Sequence, residues 1–306
     1  MNGRFENNAP LALVVGCGDM GMGIARALGR VHPLLLVDID RERLAGCVAA
    51  LKHDGYDVTG HVCDISKQVD VEGLAWALLR SPGVKVLAHV AAIGNSGADW
   101  RRVIEVDLVA AGLVARAVEP ALVAGAVAIF ISSTGAQRCP RDPMLHELID
   151  NPLRTNLCAR LRELAGRDLN FLEAYFIAKM GVNRLVERLA IAWGPRRMRA
   201  VSVSPGLIDS TMGRTGGSEI PIYAGGAEPR LGTREEKARI EVPLGRQGRV
   251  LEVVGVVDFL ASDAASFISG IDVPVDGGSS AFWRAIGDTS GSLGAEQLAP
   301  GFPASP

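Results

Sequence analysis

Short runs of apolar residues alternate with amphipathic stretches along most of the chain, and this alternation limits the fold more than any other feature. The predicted strands are residues 11–15, 33–38, 56–64, 84–90, 126–133, 199–205 and 271–276. Most of these runs are apolar throughout, which is typical of parallel strands covered on both faces. Repeated strand–helix–strand units predict an α/β fold, a doubly wound parallel sheet (Rossmann fold) of about seven strands with helices on both faces.

One domain over residues 11–280 accommodates all of these strands, although 306 residues would also allow two domains. Residues 1–10 form an N-terminal extension. Two segments depart from the strand–helix rhythm: residues 140–173 are predicted to be a helical insert, and residues 209–245, rich in glycine and charge, a mobile substrate loop. The small residues and prolines of residues 281–306 predict a flexible tail.

The composition excludes several kinds of partner. Lysine and arginine number 32 and aspartate and glutamate 34, so no excess basic charge is available for binding nucleic acid. The longest apolar run, residues 121–131, is shorter than the roughly 20 residues of a membrane helix. The N-terminus lacks a signal-peptide pattern, which favours a cytoplasmic protein. The five cysteines show no CxxC spacing, so we expect neither a disulfide framework nor a metal site.

The sequence GCGDMGMG at residues 16–23 directly follows the first predicted strand. Gly16, Gly18 and Gly21 form a GxGxxG motif. The first glycine allows a tight turn, the second lets the backbone approach a pyrophosphate, and the third lets the helix pack closely on the strand. The N-terminus of the following helix would face the phosphates. Glycine-rich turns also join strands to helices for structural reasons alone, so the motif does not by itself identify a cofactor site.

Asp38 ends the second predicted strand, where dinucleotide-binding folds place the acid that binds the adenosine ribose. A carboxylate there would repel the 2′-phosphate of NADP by roughly 4 kcal/mol per charge pair at about 4 Å and an effective dielectric near 20. We therefore expect NAD as the cofactor. The alternative interpretation is that Asp38 and Asp40 are ordinary turn residues.

Two pairs of polar side chains could carry proton chemistry. Tyr175 and Lys179 are four positions apart in a predicted helix and therefore lie on one face. A tyrosine in water ionises at about pH 10, and a nearby ammonium brings the phenol into the working range of a general acid–base. Ser132 and Ser133 end the fifth predicted strand, at the edge where doubly wound sheets bind ligands. A surface pair and a strand-end turn are the structural alternatives.

Together these residues resemble the single-domain short-chain dehydrogenase/reductase family. The similarity covers nearly all of residues 11–280, because further markers follow in the family's order. These are CDIS at 63–66, SPGLIDSTM at 204–212, PLGRQGRV at 243–250, FLASDAASFISG at 259–270 and VDGG at 275–278.

The resemblance implies an NAD(H)-dependent oxidoreductase that interconverts a secondary alcohol and a ketone. Tyr175 would transfer the proton, Lys179 would assist it and hold the nicotinamide ribose, and Ser133 would orient the substrate oxygen. The implied cofactor contacts are Gly16, Gly18, Asp19, Met20, Gly21, Met22, Asp38, Asp64, Ile65, Ala91, Tyr175, Lys179, Pro205, Ile208 and Ser210.

The chain departs from the family pattern at four places, two of them near the cofactor. Cys17 replaces a glycine, and its side chain is expected near the phosphates. HVAA at 89–92 replaces NNAG, which alters local bonding. Asp107 stands where the family has an asparagine, often counted as the fourth catalytic residue, whose backbone holds a water beside the lysine. Asp107 could keep that role and add a charge near Lys179, or be a polar residue at a helix irregularity.

The fourth departure is the separation of Ser133 and Tyr175, which lie 42 positions apart. The insert between them is expected above the site or at a subunit interface. This spacer and the segment at 190–206 most resemble the bacterial 3α-hydroxysteroid dehydrogenase/carbonyl reductase branch, which favours a bulky hydrophobic, steroid- or terpenoid-like substrate.

Two alternative functions remain. A 3-oxoacyl thioester reductase of fatty-acid type normally uses NADPH and a basic patch for its carrier protein, and Asp38 and the balanced charge argue against it. A non-catalytic dinucleotide-sensing regulator could lose the tyrosine and lysine, yet both are present. Family members commonly pair through the long helices beside the sheet, so we expect a homo-oligomer, a dimer or tetramer.

Overall fold

The computed structural model describes residues 9–94, 97–214, 220–222 and 230–290. Its strands are β1 (Leu11–Val15), β2 (Leu34–Asp38), β3 (Val58–Val62), β4 (Val84–His89), β5 (Leu122–Ile131), β6 (Arg199–Pro205), β7 (Ile208–Asp209), β8 (Ile220–Ile222), β9 (Arg230–Gly232), β10 (Gly248–Arg249) and β11 (Asp272–Val275). Seven of them form one parallel sheet in the order β11–β6–β5–β4–β1–β2–β3. The predicted doubly wound sheet is confirmed. Two small sheets pair β7 with β10 and β8 with β9.

The apolar strands are explained by two cores, one on each face of the sheet. In β1, Leu11, Leu13 and Val15 face one core, whereas Ala12 and Val14 face the other. All five side chains are buried. A strand covered on both faces has no position that favours a polar residue, and this is why its sequence shows no alternation.

Helices cover both faces. Those on the first face are α3 (Gln68–Leu78), α4 (Trp100–Ile104), α5 (Ala110–Val118), α6 (Pro143–Ile149), α7 (Leu157–Ala165) and α8 (Phe171–Trp193). Those on the second are α1 (Asp19–Leu28), α2 (Arg41–His53) and α11 (Val250–Ala261). The other helices are α9 (Thr211–Arg214), α10 (Arg234–Glu241) and α12 (Ser279–Ser290). In the described part of the chain, no helix combines the length and apolar character needed to span a membrane.

The segment 140–173 contains α6, α7 and the start of α8. Its apolar side chains join the core between α5 and α8. Asp150, which follows α6, accepts a hydrogen bond from Nη2 of Arg184 in α8 at 2.8 Å and also pairs with Arg188. Pro152 lies against Gly112 of α5. The insert therefore packs against α5 and α8 of its own chain.

Several predicted segments lie partly outside the described residues. These are residues 1–8 of the extension, 215–219 and 223–229 of the substrate loop, and 291–306 of the tail. The tail, predicted to be flexible from residue 281, begins instead with α12, which continues to Ser290.

Candidate active site

The glycine turn joins β1 to α1, and two of its glycines are required by close packing. Gly16 has a positive φ of 100°, and a Cβ there would lie 2.7 Å from the backbone nitrogen of Ala91. A Cβ on Gly21 would lie 1.8 Å from the carbonyl oxygen of Gly16. A Cβ on Gly18, by contrast, would meet nothing within 4 Å. The backbone at Gly18 thus faces open space at the N-terminus of α1, which suits an approaching pyrophosphate. Met20 and Met22 are half-buried beside it.

Cys17 points into the core rather than towards the open side of the turn. Its side chain is buried, and the sulfur lies 3.8 Å from the carbonyl oxygen of Val37. Burial, with a further contribution from the charge of Asp38, raises the pKa of the Cys17 thiol to about 12. The residue therefore stays a neutral thiol that packs on β2, away from the open side of the turn where the phosphates are predicted.

Asp38 links the end of β2 to the glycine turn. One carboxylate oxygen accepts a hydrogen bond from the backbone N–H of Cys17 at 2.8 Å, and the other from that of Asp40 at 2.9 Å. These bonds hold the carboxylate beside the turn, where the second strand of a dinucleotide fold places its ribose-binding acid. Asp40 itself caps α2 and pairs with Arg43, so its role is structural.

Asp64 and Ile65 follow β3 at the same edge of the sheet. Asp64 accepts hydrogen bonds from the backbone and hydroxyl of Ser66, and Nη2 of Arg102 lies 3.6 Å away. Burial alone would raise the pKa of Asp64, but the bonds from Ser66 and the charges of Arg102 and Lys67 lower it overall. Arg102 is 38 positions from Asp64, and no sequence pattern points to this contact.

Tyr175 and Lys179 lie near the start of α8. The Lys179 ammonium is 5.5 Å from the centre of the Tyr175 ring. Tyr175 is half-buried and packs on two aromatic rings, with ring centres 6.1 Å away at Phe171 and 6.3 Å away at Phe176. Lys179 is buried.

The two serines at the end of β5 have different surroundings. The Ser132 hydroxyl is buried and donates to the carbonyl oxygen of Lys179 at 3.0 Å, which ties β5 to α8. Ser133 is partly exposed, and its hydroxyl oxygen accepts from the backbone N–H of Gly135 at 3.1 Å. The Ser133 hydroxyl proton is therefore available to a substrate. A Cβ on Gly135 would lie 2.8 Å from the Phe176 ring, so the turn after Ser133 packs directly on α8.

Asp107 lies in a π-helical turn, Glu105–Val109, between α4 and α5. One carboxylate oxygen accepts from the backbone N–H of Ile93 at 2.8 Å, and the other lies 3.2 Å from the Lys179 ammonium. Both side chains are buried, 0% exposed for Asp107 and 3% for Lys179. The residue therefore sits at a helix irregularity and also contacts the lysine, which unites the two interpretations that the sequence left open. Single-turn π bulges are frequent at functional sites.

His89, at the end of β4, is the first residue of the HVAA segment, and nothing in the sequence placed it beside Lys179. Its ring is buried and stacks on Phe130, with centres 5.5 Å apart. Burial, and secondarily the charge of Lys179, lowers the pKa of His89 to about 3. His89 is therefore neutral and adds no charge beside Lys179.

The segment after β6 contacts the start of α1, next to the glycine turn. Asp19, in α1, accepts a hydrogen bond from the backbone N–H of Thr211 at 2.7 Å. Pro205 ends β6, Ile208 is buried in β7, and Ser210 accepts from the backbone N–H of Gly213 at 3.1 Å. The predicted site residues thus lie along the carboxyl edge of the parallel sheet, where doubly wound folds bind ligands.

Two family models match the chain. The model described as "short chain dehydrogenase" matches residues 10–142, and that described as "Enoyl-(Acyl carrier protein) reductase" matches residues 163–280. Residues 143–162, between the two matches, contain α6 and most of α7.

Two curated relatives match over most of their length. Dehydrogenase/reductase SDR family member 4 of Sus scrofa is 28% identical, with 89% of each chain covered. Meso-2,3-butanediol dehydrogenase of Serratia marcescens is 27% identical over 91% of this chain and 96% of the relative.

Solved structures show the same fold. A short-chain dehydrogenase/reductase from Brucella melitensis, titled glucose/ribitol dehydrogenase, superposes with a TM-score of 0.64 at 25% identity, covering 90% of this chain and 99% of the other. A blue fluorescent protein from a metagenomic library, in complex with NADPH, superposes with a TM-score of 0.67 at 22% identity, covering 89% and 98%.

Proposed function

Because the chain belongs to the short-chain dehydrogenase/reductase family, whose oxidoreductases bind a nicotinamide dinucleotide, we propose that it is an NAD(H)-dependent enzyme interconverting a secondary alcohol and a ketone. The observation that carries the proposal is the Tyr175–Lys179 pair, with 5.5 Å between ammonium and ring centre, at the sheet edge that holds the glycine turn. The name of the Serratia relative specifies a secondary diol, which supports a secondary alcohol as the substrate.

Each side chain has a role in this reaction. When bound, the nicotinamide would supply the hydride acceptor for oxidation of the alcohol carbon and the hydride donor for reduction of the ketone. Ser133 donates a hydrogen bond to the substrate oxygen. Tyr175 takes the hydroxyl proton during oxidation and gives it back during reduction. Lys179 would stabilise the phenolate that forms and would hold the nicotinamide ribose, and Asp107 contacts the Lys179 ammonium.

Asp38 favours NAD over NADP. Its carboxylate is fixed beside the glycine turn by two backbone N–H groups, so it cannot easily move away from a 2′-phosphate. The repulsion between the buried carboxylate and a 2′-phosphate is stronger than it would be in bulk water. The neighbour that holds NADPH is 22% identical and shares the fold alone.

The aromatic rings of Phe171 and Phe176, which both pack on Tyr175, favour a bulky hydrophobic substrate. The steroid- or terpenoid-like class and the 3α-hydroxysteroid dehydrogenase/carbonyl reductase branch stay predictions. We also expect a cytoplasmic homo-oligomer, dimer or tetramer. Exposed apolar side chains at Ile191 in α8 and at Phe267 and Ile271 beside the edge strand β11 support self-association.

Turnover tests the proposal directly. NAD+ reduction is measured with steroid, terpenoid and aliphatic secondary alcohols, and the best substrate is used to compare variants. Tyr175→Phe should lower kcat by at least about 100-fold, because it removes the general acid–base, while NADH still binds. Tyr56→Phe, a half-buried tyrosine beside Gly29, is the matched control and should keep normal turnover. Near-normal kcat in Tyr175→Phe would refute the mechanism.

A further inference from the structure

The ion pair of Asp107 and Lys179 is buried beneath the proposed site. Moving a lysine ammonium out of water disfavours its charged form, and a buried lysine without a counter-ion can lose its proton near neutral pH. In this chain the Lys179 ammonium lies 3.2 Å from a carboxylate that is itself fully buried. The lysine is thus paired with one specific anion rather than with solvent.

Three titratable groups face Lys179, and each comes from a different part of the fold. Asp107 approaches from the π-helical turn, Tyr175 from α8, one helical turn before Lys179, and His89 from β4. His89 is neutral because of its burial. Asp107 is therefore the group placed to balance the lysine's charge, at 3.2 Å. Burial raises the pKa of the Asp107 carboxyl, and the Lys179 charge and the Ile93 N–H oppose that rise. Burial alone would lower the pKa of Lys179, but the charges of Asp107 and Tyr175 outweigh burial and raise it.

The carboxylate is held in one orientation. Its other oxygen accepts the Ile93 N–H at 2.8 Å, just after β4, so Asp107 connects the β4 edge, the π-helical turn and α8. Ser132 fixes the lysine from the other side by donating to its backbone carbonyl at 3.0 Å. The position of the ammonium is thus set by contacts outside the reacting atoms.

We propose that Asp107 is a positioning residue whose carboxylate keeps Lys179 protonated in this water-excluded place and thereby sets the upper pH limit of turnover. The effect on turnover rests on the proposed function, because it requires Lys179 to assist Tyr175. The charge of Lys179 can be measured without any substrate or cofactor. A failure of the ion-pair inference is therefore distinguishable from a failure of the proposed function.

The first experiment titrates Lys179 itself. The chain has five lysines, so carbon-13 labelling of lysine gives a small set of NMR signals, and the Lys179 signal is the one missing from Lys179→Arg. In the wild-type protein Lys179 should stay protonated beyond 10.5, its usual pKa. In Asp107→Asn, which keeps an acceptor for the Ile93 N–H, Lys179 should lose its proton at least about one pH unit lower.

Asp142→Asn is the matched control, because Asp142 is also buried and accepts backbone N–H bonds, from Met144 and Leu145 at the start of α6. It removes one charge from the chain and should leave the Lys179 titration unchanged. Asp107→Glu restores the carboxylate and should return the midpoint towards the wild-type value. If Asp107→Asn does not fold, Asp107→Ser provides the neutral side chain. The same Lys179 midpoint in the wild type and the neutral variant would overturn the proposal.

The second experiment follows kcat/KM against pH with the best alcohol found in the screen. In Asp107→Asn the fall in kcat/KM on the alkaline side should move to lower pH by about the same amount as the Lys179 midpoint. A uniform loss at every pH would instead indicate a purely structural residue and would overturn the assignment. If the NMR midpoint shifts but the wild type oxidises no alcohol, the ion-pair inference stands and the proposed function fails.

Discussion

At the scale of single residues, the glycines of the turn after β1 have separable roles. Gly16 and Gly21 are fixed by packing, because a Cβ at either would lie within 3 Å of backbone atoms. Gly18 has room for a side chain, so packing does not explain it. Its backbone is free for a ligand that approaches more closely than a Cβ would permit. Stability and cofactor binding should therefore respond differently to substitution at these positions.

We expect Gly21→Ala to destabilise the fold by roughly 1–3 kcal/mol, because the Cβ meets the Gly16 carbonyl and α1 must shift. Gly18→Ala should unfold at nearly the wild-type denaturant concentration but bind NADH at least about tenfold more weakly. Urea unfolding and NADH fluorescence titration measure the two effects. Gly46→Ala, at an open helical position in α2, is the control and should leave NADH affinity intact. Unchanged affinity in Gly18→Ala would argue against a pyrophosphate at the turn.

At the scale of elements, α8 carries the proposed chemistry and is anchored at its start by a capping box. The Asn170 side chain accepts from the backbone N–H of Glu173, and the Glu173 carboxylate accepts from that of Asn170. Arg167 adds two hydrogen bonds to the same carboxylate, of 2.6 and 2.9 Å. Tyr175 lies only two residues further on, so this cap fixes the direction in which the helix presents it.

Glu173→Gln should lower the free energy of unfolding by about 1–2 kcal/mol at pH 7, a value reduced because Arg167 is partly exposed. Burial would raise the pKa of Glu173, but Arg167 and Asn170 lower it below its usual 4.5. When a carboxyl has a lower pKa in the folded than in the unfolded protein, it stabilises the fold fully at pH values above its unfolded-state pKa. This stabilisation is lost as the pH falls through its folded-state pKa. The difference between wild type and variant should therefore shrink below about pH 4.5 in urea unfolding.

The matched control for this cap is Glu72→Gln on α3, where the exposed carboxylate bonds only to Gln68 among the described contacts. Glu72→Gln should change the unfolding free energy by less than about 0.5 kcal/mol, both at pH 7 and at pH 4. A Glu173→Gln difference that is constant from pH 7 to pH 4 would show that the carboxylate charge does not contribute.

Elements differed in how well the sequence predicted them. All seven strands of the main sheet were predicted. β1, β2 and β6 are buried almost throughout, which gives them a simple apolar signature, whereas the edge strands β3 and β11 are partly exposed. Predicted β5 began at residue 126, whereas the strand begins at Leu122, since Gly125 continues it with a positive φ of 74° instead of ending a turn. The sequence indicated a helix irregularity at Asp107 as one of two interpretations, but not its π-helical form, because an extra helical residue leaves no distinct periodicity. The helix α12 was missed, because its short segment contains a glycine and several small polar residues. The contact of Asp107 with Lys179 depends on the π-helical turn.

At the scale of the whole molecule, the candidate site joins the two cores. Cys17 belongs to the core between the sheet and α1, α2 and α11, while Tyr175 packs on the core of the opposite face. Two hydrogen bonds connect segments at the carboxyl edge of the sheet. One joins Asp19 to Thr211, and the other joins Ser132 to Lys179. A dinucleotide that spans the edge would contact both halves and so stabilise the entire fold rather than one segment.

NADH should therefore raise the temperature of thermal unfolding as a single transition. At a concentration of about 100 times Kd the stabilisation is about 2.7 kcal/mol. NADPH at the same concentration should raise the transition less, because its 2′-phosphate meets the Asp38 carboxylate that Cys17 and Asp40 hold in place. Asp38→Asn removes the charge and keeps an acceptor for one N–H, so the two cofactors should then stabilise the protein almost equally. A larger shift with NADPH than with NADH in the wild type would reverse the cofactor assignment, and it would do so without any knowledge of the substrate.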